Sequence, residues 1–256
     1  MKKVVKTALY KILGLKNYLR LLYRSLAFAI DSGFLKKNPS YLLHQFTQKI
    51  IQKDDHVLDI GANLGYYTRM FLKAVGGNGK VYAVEPVKPF YENITYFLGN
   101  HRNLVLYNYA LGTEEKEIQL SVPDQYGYLR TGLPKVYDEN NPPSAEKLLL
   151  FPAKMIRGSI LFREIQRLDY LKMDVEGYEK YIIPEIKELL ERTFPCIQIE
   201  ISGDSKPFVE ETLFTLGYET YFYKDGQLTQ QPVADYAQDY FYIHPSKKLK
   251  YQHLIS

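Results

Sequence analysis

The chain predicts a doubly wound α/β fold, a mostly parallel sheet covered by helices on both faces, and three observations carry that prediction. Short apolar runs alternate with segments of helical period across links of only a few residues. A glycine-rich turn follows the first of these runs. The chain then closes on two aromatic-rich runs, which read as an antiparallel pair at the sheet edge. The 256 residues suffice for one such domain with an insertion. The expected architecture is a seven-stranded sheet in residues 51–256, with a helical extension over residues 1–50.

The elements follow in order. Val57-Leu58-Asp59-Ile60 is the first strand, and Gly61-Ala62-Asn63-Leu64-Gly65 the turn after it. Tyr66 to Val75 has the spacing of a helix, with Met70, Phe71 and Ala74 on its apolar face and glycines ending it. Val81 to Val84 is the second strand, Phe90 to Leu98 a helix, and Leu104 to Tyr109 the third strand. Ile118 to Val122 alternates and predicts a strand outside the main rhythm. Residues 123–150 carry four prolines and no periodicity, so they read as an insertion or long loop. Phe151 to Ile156 predicts a further strand. The rhythm resumes with a strand over 168–173, a helix over Glu179–Arg192, a strand over 196–201 and a helix over Phe208–Leu216. Residues 219–224 and 240–243 are the closing strands.

Charge is unevenly distributed. Residues 1–30 hold seven basic side chains (Lys2, Lys3, Lys6, Lys11, Lys16, Arg20, Arg24) and no acid, whereas residues 31–256 hold 26 basic and 29 acidic ones. The slightly acidic body argues against a groove that tracks nucleic acid, and no nucleic-acid partner is expected. Basic residues interrupt the N-terminal segment every few positions, so it reads neither as a secretory signal nor as a membrane span. Val5, Leu9, Ile12, Leu13, Leu19, Leu22 and Leu26 recur at helical spacing, which predicts a basic amphipathic helix, or two broken at Gly14. Two readings stand for residues 1–30: packing on the main domain or a second subunit, and peripheral contact with an anionic membrane. The lone Cys196 lies in a strand-like run and reads as a small buried hydrophobe, compatible with a reducing, cytoplasmic setting.

The strongest local signal is Asp59-Ile60-Gly61-Ala62-Asn63-Leu64-Gly65 between a strand and a helix. Gly61 permits positive φ in a tight turn, and Gly65 lets the helix start close to the sheet. Glu85 ends the next strand 24 residues after Gly61, where a carboxylate can accept hydrogen bonds from two ribose hydroxyls. A dinucleotide site asks for G-x-G-x-x-G, an order this turn lacks. A carboxylate at Asp59 would repel a pyrophosphate but could pair with the ammonium of a methionine moiety. S-adenosyl-L-methionine carries no phosphate and two positive centres, so it is the cofactor these residues predict. The expected cofactor-binding set is Asp59, Gly61, Ala62, Asn63, Gly65, Tyr66, Glu85, Pro86, Asn108 and Ala110.

A second acidic motif, Leu171-Lys172-Met173-Asp174-Val175-Glu176-Gly177-Tyr178-Glu179, closes the fourth core strand. Lys172 and Asp174 point to the same side of a strand. In the strand order 3-2-1-4-5 this strand lies beside the first, at the switch point where such sheets bind ligands. With Val84-Glu85-Pro86, Tyr109-Ala110-Leu111-Gly112 and Ile199-Glu200, the two motifs make residues 55–203 resemble the FkbM methyltransferase family, the Lys-x-Asp-x-Glu-Gly element most specifically. The resemblance implies a Rossmann-like sheet and methyl transfer, mainly to oxygen, on secondary metabolites or glycans.

The expected catalytic residues are Asp174 as general base or acceptor-orienting group, Lys172 as the cation that keeps it ionised or meets an acidic substrate, and Glu176, with Glu200 in reserve. Carboxylates of this kind also suit a divalent cation, but no metal ligand is assigned. Tyr126, Tyr128, Arg130, Lys135 and Tyr137 are candidates for gripping the acceptor, a small molecule or glycan. RNA or protein methylation, and a binding protein of this fold without turnover, are the alternatives.

Overall fold

The computed structural model describes residues 2–125, 128–129, 131, 134–138, 147–201, 203–234, 236 and 239–256. The expected acceptor residues Tyr126 and Arg130 lie outside the described residues. In chain order the elements are α1 (Lys2–Asp31), α2 (Pro39–Ile50), β1 (His56–Ile60), α3 (Tyr66–Val75), β2 (Lys80–Val84), α4 (Lys88–Leu98), β3 (Leu104–Tyr107), β4 (Ala110–Gly112) and β5 (Lys116–Gln125). They continue with β6 (Tyr128–Leu129), β7 (Lys135–Val136), β8 (Leu148–Arg157), α5 (Gly158–Leu161), β9 (Tyr170–Met173), α6 (Glu179–Glu185) and α7 (Lys187–Thr193). The last are β10 (Cys196–Ile199), α8 (Lys206–Thr215), β11 (Glu219–Lys224), β12 (Gln227–Thr229), β13 (Tyr240–Ile243) and α9 (Lys248–Tyr251).

The main sheet runs β12-β11-β13-β10-β9-β1-β2-β3. Its β10-β9-β1-β2-β3 part is parallel, and β13 pairs antiparallel with both β10 and β11. The seven expected strands are present, and an eighth, β12, folds back on β11. Its cause is local: Asp225 and Gly226 have φ of 49° and 86°, the left-handed pair that a two-residue hairpin requires. Leu58, Ile60, Leu171, Met173, Ile197 and Ile199 pack under α6, α7 and α8. Val57, Tyr170 and Cys196 face α2 and α3. The long expected helix over 179–192 is two helices, split at Ile186 just after Pro184.

Residues 123–150 differ from expectation at both ends. β5 continues through Pro123 to Gln125, and β8 begins at Leu148 and pairs with it from Lys116↔Met155 to Pro123↔Leu148. Together with β4, β6 and β7 they form a second sheet. Each proline lies where its strand has one neighbour: β4 meets β8 only at Met155–Arg157, beyond Pro152, while β7 and β6 meet β5 at Leu120–Ser121 and Asp124–Gln125, on either side of Pro123.

α1 bends at Gly14, whose φ of 68° and ψ of 167° are non-helical. Beyond the bend, Tyr18, Leu19, Tyr23 and Ala27 are buried against Leu64, Phe90, Val122 and Leu129. The Tyr23 ring stacks on Tyr66 and Phe97 at 5.5 and 4.2 Å between centroids. Each buried large side chain is worth about 1.5–3 kcal/mol, so this half of α1 is firmly seated on the domain.

Candidate active site

A cavity of about 260 Å³ opens at the carboxyl ends of β1, β2 and β9. Ile60, Gly61 and Asn63 form one wall, Val84, Glu85 and Pro86 the next, and Asp174 to Tyr178 a third. Tyr109, Ala110 and Leu111 follow β3, while Leu120, Pro134, Lys135 and Val136 come from the second sheet and the segment before it.

The glycine turn is held by backbone donors. Both Glu85 oxygens accept amides: Oε2 from Asn63 at 2.7 Å and Oε1 from Val87 at 2.8 Å. Glu85 is buried, and burial pushes its carboxyl up to about 8, although these two amides pull it back. Gly61 has a φ of 80°, and a Cβ there would lie 1.9 Å from the Asp174 carbonyl oxygen. Its glycine is therefore demanded by the close passage of the β9 end as well as by the turn. Gly65, at φ 90°, caps α3, where a Cβ would press on Ile94 at 3.0 Å. Asn63 also takes positive φ, and its Nδ2 donates to the Thr131 carbonyl at 2.6 Å, tying the turn to the segment over the cavity.

The opposite wall is held by charge. Lys172 Nζ lies 3.1 Å from Asp174 Oδ2 and 4.9 Å from the centroid of the Tyr67 ring. The Lys172 side chain is 5% exposed and that of Asp174 32%, so the lysine supports the carboxylate from below and does not itself reach the cavity. Burial alone would lower the Lys172 pKa, but the charges of Asp174, Asp59 and Asp239 outweigh it and raise it above the usual lysine range. The ammonium is thus a buried charge held among carboxylates. Past Asp174, Glu176 and Gly177 turn the chain with φ of 55° and 99°, and buried Glu179 Oε1 accepts the Gly177 amide at 3.1 Å. Glu176 lines the cavity, and burial raises its carboxyl.

Of the expected residues, the structure brings Gly61, Asn63, Glu85, Pro86, Ala110, Asp174 and Glu176 to one cavity. Six of the expected cofactor and catalytic residues stand elsewhere. Asp59 is fully buried, one residue too early for the strand mouth; it points to the α3 face, where Oδ2 accepts from Thr68 Oγ1 at 2.6 Å. The strand register places it beside Lys172, whose charge acts on it. Ala62 packs in the core beneath the turn. Gly65 shapes the start of α3, and Tyr66 stacks on α1. Asn108 Nδ2 donates to the Glu85 and Pro86 carbonyls at 2.8 and 3.1 Å, bracing the β2 end from behind. Buried Lys172 is likewise placed to hold Asp174 and not to meet an acidic substrate.

Several participants carry no local signal in the sequence. Asp239, just before β13, is buried and receives Gln198 Nε2 at 2.5 Å. Gln198 is the register neighbour of Lys172, and its Oε1 accepts from Thr47 of α2 at 2.9 Å. Tyr67, one residue past the expected Tyr66, covers the lysine. Among the described residues no group of three or more His, Cys, Asp or Glu is arranged to hold a metal ion.

The cavity's chemistry suits a cationic nucleoside: three carboxylates, from Glu85, Asp174 and Glu176, face one lysine, Lys135, among apolar walls. Comparison with curated proteins finds no match. Among solved structures, the chain is similar to an S-adenosylmethionine-dependent O-methyltransferase from Thermotoga maritima (15% identity, TM-score 0.43) and to methyltransferase FkbM from Methylobacillus flagellatus KT (12%, 0.46). The matches take in 80% and 76% of this chain, which spans 65% and 44% of those two proteins. It is also similar to Aeropyrum pernix fibrillarin, solved with natively bound S-adenosyl-L-methionine (15% identity, 75% of this chain and 67% of that one, TM-score 0.42). The model of the methyltransferase FkbM domain matches residues 59–222, from the strand before the glycine turn to the first closing strand, and the chain belongs to that family of methyltransferases.

Proposed function

We propose that this chain binds S-adenosyl-L-methionine in the cavity and transfers its methyl group to a hydroxyl oxygen of a small molecule or glycan. The observation that carries the reading is the convergence of Glu85, Asp174 and Glu176 on one cavity at the switch point of the sheet. The cofactor, when bound, supplies an electrophilic methyl carbon on a positively charged sulfur. Each Glu85 oxygen is engaged by one backbone amide and keeps a lone pair for a ribose hydroxyl. The fixed Glu85 rotamer makes this an already organised acceptor.

An attacking alcohol must lose its proton as the new bond forms. Asp174 Oδ2 is occupied by Lys172, and Oδ1 is the oxygen left to take that proton or orient the hydroxyl. The buried ammonium of Lys172, 3.1 Å from Oδ2, holds the rotamer of that carboxylate. Glu176 adds negative charge on the same wall, beside a cationic donor. Lys135 and Tyr178 line the remaining wall, where a polar acceptor would lie.

Calorimetric titration with S-adenosyl-L-methionine, followed by transfer of a labelled methyl group to nucleotide sugars, oligosaccharides, RNA and protein, tests the reading. One-to-one cofactor binding and transfer to a sugar or small alcohol are expected. Absence of cofactor binding overturns the site, and transfer only to RNA or protein overturns the acceptor class.

A further inference from the structure

The first half of α1 has two unlike faces. Leu9, Tyr10 and Leu13 rest against the cluster that includes Val122 and Leu129 of the second sheet. On the other side Val4, Val5 and Ile12 are 73%, 53% and 80% exposed. At 100° per residue these three lie within one arc of the helix, roughly opposite Tyr10 and Leu13, with exposed Lys11 at its border. The bend that sets this half apart comes from a glycine whose added Cβ would meet nothing within 4 Å, so its positive φ, and not close packing, is what the position uses.

We propose that this face docks on an anionic lipid surface. An occupant must accept aliphatic side chains and also compensate a half-helix that carries four lysines, Lys2, Lys3, Lys6 and Lys11, and no acid. Nucleic acid would meet the charge and leave the aliphatic stripe in water. A second copy packed stripe to stripe would meet the apolar need and bring two wholly basic helices together. A leaflet containing acidic phospholipid meets both needs at once, with acyl chains for Val4, Val5 and Ile12 and headgroup phosphates for the lysines. No described helix is long and apolar enough to cross a membrane, which makes this an interfacial contact. The second sheet under α1 also walls the cavity through Leu120 and Val136, so the lipid contact lies on that side of the site.

The test is cosedimentation of the full chain with vesicles of phosphatidylcholine alone and of phosphatidylcholine with about one-third phosphatidylglycerol. Binding is expected to the anionic vesicles only, and to fall at least about tenfold near 1 M salt, where charges are screened within about 3 Å. Two variants separate the contributions: Val4→Ser/Val5→Ser/Ile12→Ser and Lys11→Glu/Lys16→Glu. All five side chains are exposed, so native circular dichroism and unchanged melting are expected for both. Each variant should lose at least about tenfold in vesicle affinity. Equal binding to both vesicle types, no binding, or wild-type binding by either variant overturns the proposal. So does a dimer abolished by the serine variant without vesicle binding, which would make the face a subunit interface. None of these readouts requires cofactor or turnover, so the result is separate from the proposed activity.

Discussion

The cavity sets two differently built walls against each other. At the β2 end, the Glu85 carboxylate is held by the amides of Asn63 and Val87. At the β9 end, the Asp174 carboxylate is held by one buried ammonium, itself shared with Asp59 and Asp239. The first wall is fixed by chain geometry and the second by a network of charges. A carboxylate surrounded by amides makes a rigid acceptor suited to binding. A carboxylate partly open to the cavity and backed by a cation makes a site where a proton can be received. The comparison therefore predicts that the two walls fail differently when altered.

The largest effect should come from Asp174→Ala. Its kcat should fall by about 10²–10⁴, the usual worth of a positioned general base, while the cofactor dissociation constant changes only a few-fold. Retained turnover would remove Asp174 from catalysis and leave the comparison without its second term. Lys172→Met should act on stability. Removing one partner of a buried ionic group leaves Asp59, Asp174 and Asp239 uncompensated, and a loss of about 3–5 kcal/mol is expected in denaturant unfolding. A loss below about 1 kcal/mol would show that the carboxylates are satisfied without the lysine.

At the other wall, Glu85→Gln keeps the shape and removes the ionisable group. Cofactor affinity measured above about pH 8, where the native carboxyl is ionised, should fall about tenfold to a hundredfold, in line with about 1.5–3 kcal/mol for a charged hydrogen bond, with kcat less affected. The same carboxyl should mark the pH dependence of the free protein. Burial raises Glu85 to about 8, so between about 4.3, the unfolded value, and about 8 the native state holds a proton that the unfolded chain has lost. Its contribution is complete below that window and is lost as pH rises through it. Burial pushes Asp239 and Glu179 in the same direction. The Gln variant should show a shallower decline of unfolding free energy across this range, and an unchanged slope would mean that the two amides outweigh burial.

The same contrast explains what could be read in advance. Strands and helices of the main sheet declare themselves through local periodicity, and α3 spans Tyr66–Val75 as its apolar spacing predicts. The motif residues at the strand ends reach the cavity because consecutive strands in a doubly wound sheet deliver their carboxyl ends to one edge. Side-chain direction is less accessible. Asp59 alternates with Leu58 and Ile60, so it turns away from the face they share and goes beneath the turn. The choice between Tyr66 and Tyr67 depends on how α3 rotates over Lys172, which packing decides. Asp239 reaches the lysine only after β13 pairs antiparallel with β10, a long-range event without a nearby motif. The eighth strand has a local signal that the seven-strand expectation does not use: Asp225-Gly226 is a hairpin dipeptide between two short runs.

The smallest expected effect sharpens the comparison most. Asn108 touches neither the cavity nor a charge; its amide donates to the Glu85 and Pro86 carbonyls from the far side of the β2 end. If that wall is rigid because its backbone is fixed, Asn108→Ala should cost about 1–2 kcal/mol of stability and weaken cofactor binding a few-fold, with kcat unchanged at saturation. Asn108→Asp is the discriminating partner. It keeps the size but replaces a donor with an acceptor facing two carbonyl oxygens, so it should destabilise at least as much as the alanine variant. If both variants bind cofactor like the wild type, the Glu85 position is set by its own two amides, and the brace behind it contributes only to folding.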